Sequence, residues 1–150
     1  MKDTLLVHGT AIAIDGGAVL IRGPSGAGKS DLAVRLIDAG AQLVADDQAL
    51  LRRAGARITV TAPAAIRGLL EIRGLGILRL PALDEAPLAL IVDLAAPEAL
   101  ERLPEGAAEE VLGCRVPRLA LAPFEASAAA KLRLALRAFA SPAGPDIISR

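Results

Sequence analysis

Gly23-Pro24-Ser25-Gly26-Ala27-Gly28-Lys29-Ser30 has the form G-x-x-x-x-G-K-S, the phosphate-binding P-loop. An apolar run, Ala18-Val19-Leu20-Ile21, leads into it. Leu32, Leu36 and Ile37, with Ala33 beside them, follow at helical spacing. Strand, loop and helix in that order are the setting the motif needs. Four constrained positions would match by accident in on the order of one chain of this length in a few hundred, so an ordinary Gly-rich turn is the weaker reading. Glycines let successive N–H groups turn inward into an anion nest, and the following helix adds its N-terminal dipole. In that geometry Lys29 reaches the β- and γ-phosphates and the Ser30 hydroxyl ligates Mg²⁺. Residues 23–30 therefore predict a nucleoside triphosphate site between a strand and a helix over residues 30–39.

Upstream, Ala11-Ile12-Ala13-Ile14 is separated from the loop's own strand by Asp15-Gly16-Gly17, a β-hairpin signal. With Gly16-Gly17 as the turn, His8 falls opposite Ser25. With Asp15-Gly16 as the turn, it falls opposite Gly23. Either register leads the single histidine back to the P-loop; the alternative is a structural histidine beside Gly9. Downstream, Gly40 caps the helix and Gln42-Leu43-Val44-Ala45 reads as a strand. A right-handed crossover makes it parallel to the strand feeding the loop, so both end at one sheet edge, where α/β proteins bind ligands. Asp46 and Asp47 stand at that edge. An apolar strand ending in Asp is the Walker B pattern, a carboxylate for Mg²⁺ or for activating a nucleophile; the alternative is a solvated acidic turn. Neighbouring strand residues face opposite sides, so the two aspartates have separate jobs unless the strand breaks there.

Ala49-Leu50-Leu51-Arg52-Arg53 and Arg57-Ile58-Thr59-Val60-Thr61 predict a second hairpin, and residues 64–67 a short helical turn. Leu69-Leu70-Glu71-Ile72-Arg73-Gly74-Leu75-Gly76-Ile77-Leu78 starts like a strand and breaks at two glycines. Glu71 and Arg73 alternate with Ile72 and so share a strand face, which suits a metal–phosphate site but is more simply a surface ion pair. Leu88-Ala89-Leu90-Ile91-Val92 reads as a covered central strand, residues 96–103 as a short helix, Val116 with Leu119-Ala120-Leu121 as a last strand, and residues 127–139 as an amphipathic helix. Residues 1–140 make one domain, and residues 141–150, with two prolines and a glycine, a loosely held tail.

A chain of 150 residues suffices for one core that buries roughly 68–70% of the unfolded surface without disulfide or metal. Two Phe are the only aromatic residues and the formal net charge is +0, which excludes a base-stacking platform and a polyanion-binding face, so no nucleic acid is expected. Cys114 is the only cysteine and reads as a small buried hydrophobe. No apolar run of about 18 residues is present, so no membrane span is expected and a soluble cytoplasmic protein is the default.

With the P-loop, Asp46-Asp47 and Glu71-Ile72-Arg73-Gly74-Leu75-Gly76-Ile77 in that order, the chain resembles the catalytic domain of HPr kinase/phosphorylase from Val7-His8-Gly9 to about Pro123. The resemblance implies the short form known from some bacteria, which lacks the family's usual N-terminal domain. The resemblance implies an α/β P-loop fold of the HPr kinase/phosphoenolpyruvate carboxykinase type, one domain with a mixed sheet. It implies ATP-dependent phosphorylation of a serine on the phosphocarrier protein HPr. His8, Lys29, Asp47 and Arg102 match catalytic positions, with Asp47 as proton acceptor and Asp46 beside it. Ser30 and Glu71 match Mg²⁺ ligands, and Gly23, Pro24, Ser25, Gly26, Ala27, Gly28, Lys29 and Ser30 match the ATP-binding positions. A homo-oligomer, a hexamer in the family, is implied by the same analogy. The match at Arg102 is the weakest, because the loop before it is shortened.

The family's reverse reaction, attack of phosphate on phosphoserine, is associated with a Pro-Val segment followed by Gly-Arg-Asn. The matching region here is Pro123-Phe124-Glu125-Ala126-Ser127-Ala128, with no arginine and an added carboxylate, which implies weak phosphorolysis. Two other classes compete. A small-molecule P-loop kinase would place a substrate pocket and an Arg-bearing lid where this chain has its second hairpin. A GTP-dependent switch would read guanine through Asn-Lys-x-Asp, and the chain contains no asparagine.

Overall fold

The computed structural model describes residues 3–100 and 108–140. Arg102 and the expected tail at residues 141–150 lie outside the described residues.

Asp15 and Gly16, with φ of +50° and +84°, form a two-residue turn between β2 (Thr10–Ile14) and β3 (Gly17–Arg22), with Ile14 opposite Gly17. Positive φ at both positions is what a type I′ hairpin demands and what Asp-Gly supplies. This selects the second of the two registers, but the pairing does not run on to His8. At Gly9 the chain leaves β3, passing so close that a Cβ there would stand 2.9 Å from the Ile21 carbonyl oxygen. β1 (Thr4–His8) instead pairs with β5 (Gln48–Ala54), placing His8 opposite Gln48 rather than Gly23.

β4 (Gln42–Ala45) lies antiparallel along β2, with Ala11 opposite Ala45, and the Gly9 N–H donates to the Asp47 carbonyl at 3.0 Å. β1–β2 and β4–β5 are thus one long antiparallel ribbon, bent at Gly9 on one side and at Asp46-Asp47 on the other. The strand order is β1-β5-β6-β9-β3-β2-β4, where β6 is Arg57–Thr61 and β9 is Ala86–Leu94. The two halves of the ribbon sit at opposite ends of that order, so the sheet curls upon itself.

β9 runs parallel to β3, with Ile21 opposite Val92, and parallel to β11 (Cys114–Leu121) on its other side. β10 (Ala108–Val111), a strand not expected from the sequence, pairs with the start of β11 and completes a main sheet of nine strands among the described residues. β4 runs in the same direction as β3, as the crossover requires, but β2 lies between them.

Alternation splits the apolar residues between two clusters. Leu20, Val44, Leu51, Val60 and Ile91 join the arms of the curl. Val19, Ile21 and Val92 face the other way and meet the helices α1 (Lys29–Asp38) and α3 (Ala128–Phe139) through Leu32, Leu36, Leu132 and Leu136. Leu32 and Leu36 are fully buried, each burial stabilising by about 1.5–3 kcal/mol. α1 ends where Gly40, at φ +105°, donates to Ile37 O and Ala41 donates to Leu36 O, both at 3.0 Å. This paired closure of orphan carbonyls is the reason a glycine stands there.

β7 (Leu69–Ile72) and β8 (Gly76–Arg79) form a separate hairpin seated on α1 through Leu70. A short helix, α2, covers Pro97–Leu100, and a single 3₁₀ turn covers Ala64–Ile66. Cys114 is half-buried rather than buried. No helix among the described residues is long and apolar enough to cross a membrane.

Candidate functional site

The strand directions bring the ends of β1, β3, β4, β9 and β11 and the starts of β2 and β5 to one edge. The P-loop leaves β3 there. Gly26 and Gly28 hold φ of +82° and +104°, and the Ala27 N–H donates to Pro24 O at 3.0 Å, curling the loop. α1 starts at Lys29 with no side-chain cap, so the N–H groups of its first turn have no intrahelical acceptor and are free to take an anion. Lys29 Nζ donates to the carbonyls of Gly23 at 2.6 Å and Pro24 at 3.0 Å, and to neither aspartate. These donors fit a polyphosphate: a nest, a helix terminus and one mobile ammonium.

Residues 122–127, which follow β11, lie on this loop. A Cβ on Gly28 would be 2.9 Å from Phe124 Cζ and 3.2 Å from Pro123 Cβ. The Arg35 guanidinium ties the segment down by donating to the carbonyls of Pro123 and of Glu125, the latter at 3.3 Å. The Glu125 carboxylate is engaged by Lys131 Nζ at 2.8 Å, while the Phe124 ring is 71% exposed.

The bend of the ribbon supplies the carboxylates. The Gln48 N–H donates to Asp46 O at 2.7 Å, closing a γ-turn about Asp47 with φ +67°. A left-handed residue other than glycine costs of order 1–3 kcal/mol and persists only where its surroundings impose it. The turn directs the Asp47 carboxylate outward, 73% exposed, with Oδ1 3.6 Å from His8 Nδ1. That separation exceeds hydrogen-bond range and leaves an electrostatic contact.

Asp46, one residue away, is buried. Its Oδ1 accepts from Thr10 Oγ1 at 2.9 Å and its Oδ2 from the Glu71 N–H at 3.1 Å. The two aspartates therefore stand in different surroundings, but β4 ends at Ala45, so the γ-turn and not strand alternation parts them.

Glu71 exposes its side chain from β7 while Leu70 is buried behind it. Arg73 does not share that strand face. It lies in the turn closed by the Leu75 N–H and Ile72 O at 3.0 Å, and no ion pair joins it to Glu71. The expected surface pair is absent because β7 ends at Ile72.

Two residues at this edge were not singled out from sequence. Thr10 is one: a hydroxyl, 1% exposed, heading a strand otherwise wholly apolar. Arg22 is the other, placed immediately before the P-loop. Its guanidinium donates to both oxygens of Asp93 at 2.8 and 3.0 Å and to both oxygens of Glu109 at 2.7 and 2.8 Å. Arg118 joins the same carboxylates, at 2.8 Å from Asp93 and 3.5 Å from Glu109. The hydrogen bonds to Glu109 and Asp93 raise Arg22's hold on its proton, and the Arg22 hydrogen bond keeps the Glu109 carboxyl below the ordinary range. The sequence signal was an arginine ending an apolar strand and an aspartate ending the strand beside it.

The family description HPr Serine kinase C-terminal domain matches residues 1–132. The chain belongs to that family. Among curated relatives, an HPr kinase/phosphorylase of Leptothrix cholodnii is 41% identical over 128 residues, 77% of this chain and 39% of the relative. Those of Geobacillus sp. and Exiguobacterium sibiricum are 41% and 47% identical over 63% and 52% of this chain. The HPr-kinase-type chain spans only 25–39% of the length of these relatives. The solved structure of the HPr(Ser) kinase/phosphatase from Coxiella burnetii superposes with a TM-score of 0.79 at 27% identity, covering 89% of this chain and 94% of that one. The fold is accordingly the α/β P-loop fold of HPr kinases, one domain with a mixed, curled sheet.

Proposed function

We propose that the chain is the catalytic unit of an ATP- and Mg²⁺-dependent kinase that phosphorylates a serine of the phosphocarrier protein HPr. One observation carries the reading: the outward-facing Asp47 carboxylate, with His8 beside it, shares the sheet edge from which the P-loop emerges. Gly23 to Ser30 cradle the phosphates of ATP through backbone N–H groups, and Lys29 exchanges the Gly23 and Pro24 carbonyls for phosphate oxygens. Ser30 and Glu71 hold Mg²⁺, which when bound neutralises charge on the transferred phosphoryl group. Asp47 accepts the proton of the serine hydroxyl as the serine oxygen bonds to the γ-phosphorus and ADP leaves. His8 orients the Asp47 carboxylate and steadies its charge. Arg102 joins the site by family analogy, as does assembly into a hexamer.

Phosphorolysis is slower than the kinase reaction on this reading. The Pro123–Ala128 segment offers no free cation for an incoming phosphate, since Arg35 is spent on its carbonyls and on Asp31. The test is transfer of the γ-phosphoryl group from ATP to HPr, beside HPr whose target serine is alanine and beside a panel of small metabolites. Transfer to HPr alone supports the reading; transfer to a metabolite and not to HPr replaces it with a small-molecule kinase. Pyrophosphate release from phosphorylated HPr over a range of phosphate concentrations measures the reverse rate, and equal rates at about millimolar phosphate would refute the asymmetry.

A further inference from the structure

We propose that Thr10 is a positioning residue that sets Glu71 through the Asp46 carboxylate. The β7–β8 hairpin does not belong to the nine-stranded sheet; its strands pair only with each other. Among the described residues, its one hydrogen bond to that sheet and its connections runs from the Glu71 N–H to Asp46 Oδ2. The acceptor is a side chain, and a side chain is only as fixed as its other contacts. Asp46 Oδ1 is fixed by Thr10 Oγ1 at 2.9 Å, with Thr10 1% and Asp46 9% exposed.

The hydroxyl and the amide both donate, and an ionised carboxylate accepts from both at once. Three elements, β2, the β4–β5 connection and β7, are thereby locked at the backbone atom of the residue whose own carboxylate faces outward. The Thr10 methyl and hydroxyl share a wholly buried site, so nothing in solvent can take the hydroxyl's place.

Thr10→Val removes the donor at nearly constant volume and leaves Asp46 Oδ1 buried with no partner. The first readout is amide hydrogen exchange at Glu71, which depends on no assumption about activity. Exchange there is expected to quicken about tenfold relative to Leu70 and to β3, and Thr10→Ser to restore it. Asp46→Asn serves as the second variant. Its amide can turn its oxygen to the Glu71 N–H and its NH₂ to Thr10 Oγ1, so Glu71 is expected to stay protected.

The second readout rests on Glu71 as a metal ligand, the reading proposed above: Mg²⁺ titrated calorimetrically with ADP present, and the Mg²⁺ dependence of transfer. Thr10→Val is expected to weaken apparent Mg²⁺ affinity about five- to tenfold while kcat at saturating Mg²⁺ changes less than about threefold. Uniform quickening of exchange across the molecule would overturn the proposal, since Thr10 would then contribute only to global stability. So would loss of Glu71 protection in Asp46→Asn. A localised exchange effect without any shift in Mg²⁺ affinity leaves the clamp standing and refutes Glu71 as the metal ligand.

Discussion

The γ-turn at Asp47 makes a stability forecast that separates backbone from carboxylate. At φ +67° an L-residue costs about 1–2 kcal/mol over glycine, and aspartate lowers that cost by local hydrogen bonding. The side chain is 73% exposed and its contact with His8 is 3.6 Å, so deleting the carboxylate costs at most about 1 kcal/mol after solvent screening. Asp47→Ala keeps the strained φ without that local relief and is expected to unfold up to about 1 kcal/mol more easily than wild type. Asp47→Gly removes the strain but adds about 0.5–1 kcal/mol of unfolded-chain entropy, which leaves it at least as stable as the alanine variant and up to about 1.5 kcal/mol more so. Asp47→Asn, the other residue at home in the left-handed region, should match wild type. Urea denaturation with a common m-value reads these differences. All three variants should lose transfer to HPr by about two to four powers of ten, because no base remains to take the serine proton. A glycine variant less stable than the alanine variant would show that the turn is unstrained. Near-normal transfer in Asp47→Asn would show that the proton goes elsewhere.

Lys29→Ala should abolish measurable transfer, a loss of at least about a hundredfold, with a melting temperature within about 2 °C of wild type, since the ammonium holds only loop carbonyls. Gly28→Ala should lose about 1–3 kcal/mol of stability and most ADP affinity in calorimetry, because φ is +104° and the new methyl meets Pro123 and Phe124. The third test concerns pH. Glu109's carboxyl is held below its ordinary 4.5, so its contribution is fully present above that value and is lost as pH falls through the lower folded one. Arg22 remains protonated throughout, so Glu109→Gln should flatten the decline in stability that sets in as pH falls below about 4.5. An unchanged acid profile would count against the network.

Local chemistry made much of the fold legible. Asp15-Gly16-Gly17 announced a hairpin while leaving two registers open, Gly40 announced its helix cap, and the P-loop its strand and helix. What could not be read was partnership between distant segments. His8 lies on the register line that leads to Gly23, yet pairs with Gln48, because one missing Cβ at Gly9 lets the strand change partners. No local pattern announces such a change. β10 carries two adjacent glutamates and no apolar run, so no strand pattern marks it; Glu109 is held there by Arg22. For the candidate site, the sequence parted Asp46 from Asp47 only if a strand ran through them; the strand breaks there, and the γ-turn parts them instead. The sequence held no sign that Asp46 would be spent on a threonine 36 residues away.

The interposition of β2 between β3 and β4 has a metric consequence. Paired strands lie about 4.8 Å apart, so a loop and a carboxylate carried by adjacent strands would be separated laterally by little more than one hydroxyl's width. Here two spacings, about 9–10 Å, divide the strand that launches the P-loop from the strand that delivers Asp47. That is the breadth of a phosphoryl group with an acceptor oxygen in line behind it. In the proposed reaction, a serine presented from the surface of another protein has that lateral width in which to meet both groups.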